Sequence, residues 1–135
     1  MIETEPMTVP GATISAAAEA LGLTPDTLRY YERDQLLLRA VPREPSGHRR
    51  YQEADLRWIE LITRLRATGI PVREIRRYAA FVRRGEGNED ERLELLRTHR
   101  ERVLAQLAEV TANLAAIDHK IALYTDRLGR RALSA

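Results

Sequence analysis

Cysteine is absent from this 135-residue chain. That excludes a disulfide framework, a thiolate metal site and a cysteine nucleophile, and makes a cytoplasmic protein the default expectation. Long apolar runs are missing too: none approaches the ~20 residues that a membrane-spanning helix needs, so no membrane partner is expected. The opening residues MIETEPMTVPGA hold neither a basic region nor an apolar core, which argues against a signal peptide. We expect a flexible leader over residues 1–12, with Met7 a second candidate start beside Met1. Enzyme signatures are also lacking. There is no glycine-rich phosphate loop, no HExxH and no defensible Ser/His/Asp spacing. His48, His99 and His119 lie far apart in the chain and read as solvated residues. We therefore expect no catalytic residue, no metal site and no cofactor.

What is present is ordinary in amount and uneven in placement. Hydrophobic residues make up 44% and charged residues 31%, fitting one domain, or a small domain with an extension. The net charge is only +2, yet Arg29 to Arg84 holds fourteen arginines against seven acids, and the remainder is acidic. Two explanations stay open at this level. The positive segment suits a polyanionic partner; alternatively, arginine simply replaces lysine throughout, since Lys120 is the only lysine.

Helix signals dominate. Ser15 can cap a first helix, with Ile14, Ala17, Ala18 and Leu21 on one face, and Gly22 ends it. Thr24-Pro25-Asp26 starts a second helix, with threonine as N-cap, proline at the first helical position and an acid in the first turn. Two short helices joined by a tight turn form a helix-turn-helix. Within TLRYYE, adjacent tyrosines point about 100° apart and cannot share one face. Leu28 and Tyr31 fall inward; Asp26, Arg29, Tyr30 and Arg33 form the outward face. Pro42 to Gly47 is turn chemistry between Leu38–Val41 and His48–Tyr51, which reads as a small hairpin leaning on the helices. A third helix is expected over about 53–68, with Leu56, Ile59, Leu61, Ile62 and Leu65 apolar, and a fourth over about 71–83. Residues 85–89 read as a joint.

Beyond the joint, Leu93, Leu96, Arg100, Val103, Leu107, Val110, Leu114, Ile117, Ile121, Tyr124 and Leu128 alternate in steps of three and four. So sustained a repeat is a coiled-coil seam, and a lone helix cannot bury it. We expect a homodimer through residues 90–128, all these positions but Arg100 being apolar, and a flexible tail over 129–135. The heptads alone leave parallel and antiparallel pairing open.

Arginine and tyrosine together suit a phosphate backbone: the guanidinium fork matches phosphate oxygens, and a phenol donates a hydrogen bond while its ring packs on sugar. The hairpin repeats this chemistry with Arg43, His48, Arg49, Arg50 and Tyr51. Strand alternation puts Arg49 and Tyr51 on one side, His48 and Arg50 on the other. A helix-turn-helix, a basic hairpin and a dimer seam together fit double-stranded DNA read at two half-sites. A coiled-coil adaptor that docks other proteins is the alternative.

The motifs LRYYE, R-x-x-x-G-x-R-x-Y (Arg43, Gly47, Arg49, Tyr51), Asp55 four residues on, and G-x-x-x-x-E-I (Gly69, Glu74, Ile75) occur in one order over about residues 13–124. In that order the chain resembles the MerR family of bacterial transcription regulators. The resemblance implies a mainly α fold: a winged helix-turn-helix domain over 13–84 with a β-hairpin wing, then a long dimerisation helix pairing as an antiparallel coiled coil. It also implies an operator in an overlong promoter spacer, bent and untwisted so that RNA polymerase engages both promoter elements. By position, Arg29, Tyr30 and Tyr31, with Arg33 beside them, would lie on the recognition helix; Arg43, His48, Arg49 and Arg50 would be wing contacts. Three departures stand out. Asp26 puts an acid where many relatives place a basic or neutral residue. Gln35 replaces the glycine usual after the recognition helix. Cysteine is absent where soft-metal, redox and aldehyde sensors of the family need it, and the chain continues only briefly past the coiled coil, leaving no expected drug-binding domain and the effector open.

Overall fold

A computed structural model describes residues 11–134; most of the expected leader, residues 1–10, lies outside the described residues. Five helices follow in order: α1 (Ile14–Leu21), α2 (Pro25–Arg33), α3 (Glu53–Ala67), α4 (Val72–Arg83) and α5 (Glu89–Ser134). The chain divides into two compact units at Leu95/Leu96.

The first unit is built from short helices with explicit ends. Thr13, rather than the expected Ser15, caps α1: its side chain accepts from the Ala16 N–H at 3.1 Å. Starting the helix one residue before Ser15 leaves that serine exposed. Thr24 caps α2 as expected, accepting from the Thr27 N–H, with Pro25 at the first helical position. In α3, Gln52 and Asp55 form a reciprocal capping box.

Three helices end by one device. After α1, Gly22 and Leu23 donate back to the carbonyls of Glu19 and Ala18; after α3, Gly69 and Ile70 donate to Arg66 and Leu65. Each glycine takes the left-handed conformation that this closure requires. After α2 the pattern repeats, with Gln35 N–H to Glu32 C=O at 3.3 Å and Leu36 N–H to Tyr31 C=O at 2.9 Å. Here a glutamine stands at φ 61°, the one non-glycine residue with positive φ among those described. The departure at Gln35 thus leaves the turn's geometry intact and adds Cβ strain to it. Two arginines of α4 hold the strained segment. Arg83 Nη2 donates to the carbonyls of Gln35 (2.9 Å) and Leu37 (2.8 Å), and Arg76 Nε to that of Asp34 (2.9 Å).

The core gathers Ala17 and Ala18 of α1, Leu28 and Tyr31 of α2, Leu36, Leu37, Val41 and Tyr51 of the connecting segments, Ile59, Ile62 and Leu65 of α3, and Ile75 and Ala79 of α4. Leu61, counted among the apolar positions of α3, is exposed at 36%; it lies two residues from Ile59 and one from Ile62, so a helix cannot turn all three inward. Trp58 donates from Nε1 to the Leu36 carbonyl at 2.8 Å and stacks on Tyr78 of α4.

The wing is shorter than the sequence suggests. Arg43 pairs with Arg49 in an isolated antiparallel bridge, flanked by Glu44 N–H to His48 C=O and Arg50 N–H to Pro42 C=O. Its first arm therefore begins at Pro42; Leu38–Val41, expected to be that arm, form bends and irregular backbone. Ala12, assigned to the leader, exchanges both backbone hydrogen bonds with Tyr51 at 2.8 Å. The joint is tied as well: Asn88 Nδ2 and Arg92 Nη2 both donate to the Phe81 carbonyl, and Arg92 also donates to Gly85.

Helix α5 runs to Ser134, past the expected end at residue 128. Leu107, Val110, Leu114, Ile117, Ile121, Tyr124 and Leu128 are each 53–63% exposed along it, and Leu93 46%. Leu96 and Val103 of the same seam are half-buried. His99 is only 4% exposed, which corrects the expectation of three solvated histidines; His48 and His119 are exposed.

Gln35→Gly should relieve the left-handed strain while adding unfolded-state entropy, for a net gain of roughly 0.5–1 kcal/mol. Urea unfolding should show a higher midpoint at unchanged slope. A lower midpoint would mean that the glutamine side chain contributes more than its backbone costs.

Candidate nucleic-acid interface

Helix α2 separates the two tyrosines as its period demands. Tyr31 is 2% exposed, with its hydroxyl 3.4 Å from Thr63 Oγ1 of α3. Tyr30 is half-exposed, its ring tilted 54° to that of Tyr31. The resemblance put Tyr31 among the recognition residues; its packing makes it a core residue instead, because Leu28 and Tyr31 share the buried face of α2. Arg29 and Arg33 stay on the outer side with Tyr30. Arg29 Nη1 is bonded to Asp26 Oδ1 at 2.8 Å, and Arg33 lies 3.7 Å from Asp34.

A residue the sequence did not single out completes this surface. The guanidinium of Arg66, at the end of α3, lies 5.3 Å from the Tyr30 ring centroid and 5.8 Å from that of Tyr31. Arg33 lies 5.7 Å from the Tyr30 ring as well, so two cations approach one aromatic ring. The only trace in the sequence is that Arg66 follows the buried Leu65.

The wing is fastened to α2 by a second overlooked residue. Glu32 accepts the Val41 N–H on Oε2 at 2.9 Å, and Arg49 Nε (3.0 Å) and Arg43 Nη2 (3.4 Å) on Oε1. Its side chain is 17% exposed and that of Arg49 21%, so this cluster is partly desolvated and stronger than a surface pair. Arg43 also donates to the Gly47 carbonyl across the turn. Arg50 is held by Glu44 at 2.7 Å, and His48 Nδ1 lies 2.9 Å from Ser46 Oγ. All three wing arginines are braced, but Arg43 and His48 are exposed whereas Arg49 and Arg50 are largely covered. Asp55, part of the motif with Arg49, pairs instead with Arg39 through Nε and Nη2, both at 3.2 Å. That carboxylate raises the Arg39 pKa further above its ordinary value.

Together α1, α2 and the wing frame an open groove of about 380 Å³. It is lined by Thr13, Ile14 and Ser15 at the start of α1, Arg29 of α2, and Glu44, Gly47, His48, Arg49 and Arg50 of the wing. Backbone N–H groups at a helix start, guanidinium groups and a histidine suit phosphate oxygens. Among the described residues no group of His, Cys, Asp and Glu is arranged to hold a metal ion, and no helix is long and apolar enough to cross a membrane.

Tyr31→Ala should destabilise the fold by about 3 kcal/mol or more, as large-to-small core changes do. Tyr30→Ala should leave the melting temperature nearly unchanged. The reverse order in thermal unfolding would mean that α2 is rotated. Tyr51, 1% exposed beneath the wing, supplies a pH test. Burial pushes its phenol above the usual tyrosine value, partly offset by Arg49. A raised folded pKa gives stability that is full below the unfolded value of about 10 and is lost as pH rises through the folded one. Tyr51→Phe should flatten that alkaline loss in urea titrations; an unaltered loss would assign it to other groups.

The family pattern described as MerR HTH family regulatory protein matches residues 12–81, and one described as MerR, DNA binding matches residues 56–120. An HTH-type transcriptional regulator of Haemophilus influenzae is 35% identical over 112 residues, covering 83% of this chain and 82% of its own. Among solved structures, a MerR family transcriptional regulator from Listeria monocytogenes superposes with a TM-score of 0.79 at 33% identity, covering 84% of this chain and 86% of its own. HiNmlR, a MerR family regulator lacking the sensor domain and bound to promoter DNA, superposes with a TM-score of 0.77 at 33% identity, covering 87% and 92%. With its capped helix-turn-helix, its braced wing and these matches, the chain belongs to the MerR family of helix-turn-helix, DNA-binding transcription regulators.

Proposed function

We propose that the protein works in the cytoplasm as a homodimer that seats two copies of α2 in successive major grooves of an operator and lays its wings on the flanking backbone. In this account residues 13–84 are the DNA-binding unit and residues 90–128 carry the dimer seam, paired as an antiparallel coiled coil. Arg29, Tyr30 and Arg33 face the groove, with Arg66 added to them. Arg43 and His48 meet phosphate, and Arg49 and Arg50 chiefly hold the wing in shape. The dimer bends and untwists promoter spacer DNA so that RNA polymerase engages both promoter elements, and it performs no catalysis. HiNmlR, which shares the architecture, is itself bound to promoter DNA. The observation that carries the proposal is the pairing of an outward Arg29–Tyr30–Arg33 face with a wing locked to the same helix by Glu32. A solvated adaptor surface has no need of that rigidity. For the dimer, support comes from the seam: seven apolar positions from Leu107 to Leu128, each more than half exposed, are too costly to leave in water.

Replacing Leu107 and Leu114 with glutamate should give monomers by light scattering. Footprinting on DNA upstream of the protein's own gene should show a two-fold-related site for the wild type and none for the variant, because each half-site alone loses its partner's avidity. A variant that remains dimeric would remove α5 as the seam. Wild-type protein whose DNA affinity is indifferent to salt would turn the assignment towards the protein-docking adaptor.

A further inference from the structure

The geometry points to Asp26 as a specificity-determining residue that makes α2 read a guanine beside an amino-bearing base, cytosine or adenine, on one strand. This rests on the DNA-binding reading above and deepens it. Asp26 stands in the first turn of α2 with its side chain 93% exposed, on the same face as Arg29, Tyr30 and Arg33. An acid there is unfavourable next to phosphates, so a face built only for the backbone would not carry one. Its Oδ1 instead accepts from Arg29 Nη1 at 2.8 Å.

That bond has two consequences. It leaves Arg29, itself 47% exposed, with further N–H donors beside Asp26, able to offer two parallel bonds to an acceptor pair. In the major groove the base with two acceptors side by side is guanine, through O6 and N7. It also leaves Asp26 Oδ2 without a bond among the described residues, a carboxylate oxygen beside the arginine fork. Such an oxygen accepts from the exocyclic amino group of cytosine or adenine, and is repelled by the keto oxygen of guanine or thymine. Asp26 and Arg29 thus present donors and an acceptor in one ordered set. The bland role for Asp26, an acid complementing the helix dipole at the N-terminus of α2, predicts a stability effect and no base preference.

Selection from a pool of duplexes randomised across two half-sites separates these roles, using full-length protein. The wild type should enrich a guanine in each half-site, with cytosine or adenine favoured over guanine or thymine next to it by about tenfold, and Asp26→Ala should reduce that preference to roughly twofold while keeping the guanine. Asp26→Asn, which can donate as well as accept, should likewise admit the keto bases. Arg29→Ala should lose the guanine itself. Asp26→Ala with an unchanged neighbour preference, or Arg29→Ala with the guanine retained, would overturn the inference while leaving DNA binding untouched. A wild-type protein that enriches no sequence would overturn the DNA-binding reading together with it.

Discussion

The Glu32 carboxylate is the constraint on which the placement of the wing against α2 depends. The wing is a tight turn with one isolated bridge and a few backbone hydrogen bonds, and a two-stranded hairpin of that size is not stable alone. What fixes its position is a charge on α2. Glu32 holds the backbone of Val41, where the chain enters the wing, and Arg43 and Arg49, which face each other across it. One side chain therefore sets the distance between the element that would enter a groove and the element that would ride the backbone. Below this joint Tyr51 is buried, and its backbone pairs with Ala12, so the start of α1 joins the same frame.

The other end of α2 is held with equal care. Its last turn closes through a left-handed Gln35, a conformation that a glutamine adopts only when its surroundings enforce it. Arg76 and Arg83 supply that enforcement by bonding the carbonyls of Asp34, Gln35 and Leu37 from α4. Thr24 caps the beginning, Glu32 anchors the flank and the α4 arginines anchor the end. A nine-residue helix is too short to be stable on its own in water, so its order comes from these fastenings and from burying Leu28 and Tyr31.

Much of this was legible in the sequence, and what was not has a common cause. Helix ends at Thr24, Pro25 and Gly22 are decided by local chemistry and lie where the residues indicate. The inward turn of Tyr31 and the outward turn of Tyr30 follow from helical period alone. The seam of α5 is a one-dimensional pattern and could be read as one. Glu32 and Arg66 were missed because their roles join residues that are far apart: Glu32 meets Arg49 seventeen positions later, and Arg66 meets Tyr30 thirty-six positions earlier. The run Leu38–Val41 reads as the hairpin's first arm because it flanks the Pro42–Gly47 turn; Val41 is instead drawn into the core and Arg39 is bonded to Asp55, which leaves the pairing to start at Pro42.

Charge is where sequence and structure diverge most usefully. Fourteen arginines between residues 29 and 84 suggest a broad cationic surface, yet most are already engaged. Arg29, Arg33, Arg39, Arg43, Arg49, Arg50, Arg57 and Arg64 pair with carboxylates, and Arg76 and Arg83 bond backbone carbonyls. Arg66, Arg77 and Arg84 lie over aromatic rings. A carboxylate beside an arginine offsets part of the charge it brings to a phosphate, so the salt dependence of DNA binding should be smaller than the total of fourteen arginines implies. The guanidinium group serves both purposes because it keeps its charge and has five donors, enough to brace a loop and still offer an edge outward. Arginine in place of lysine thus has a structural reason at position 39: a lysine there could carry the charge but could not present two nitrogens in one plane to the two oxygens of Asp55.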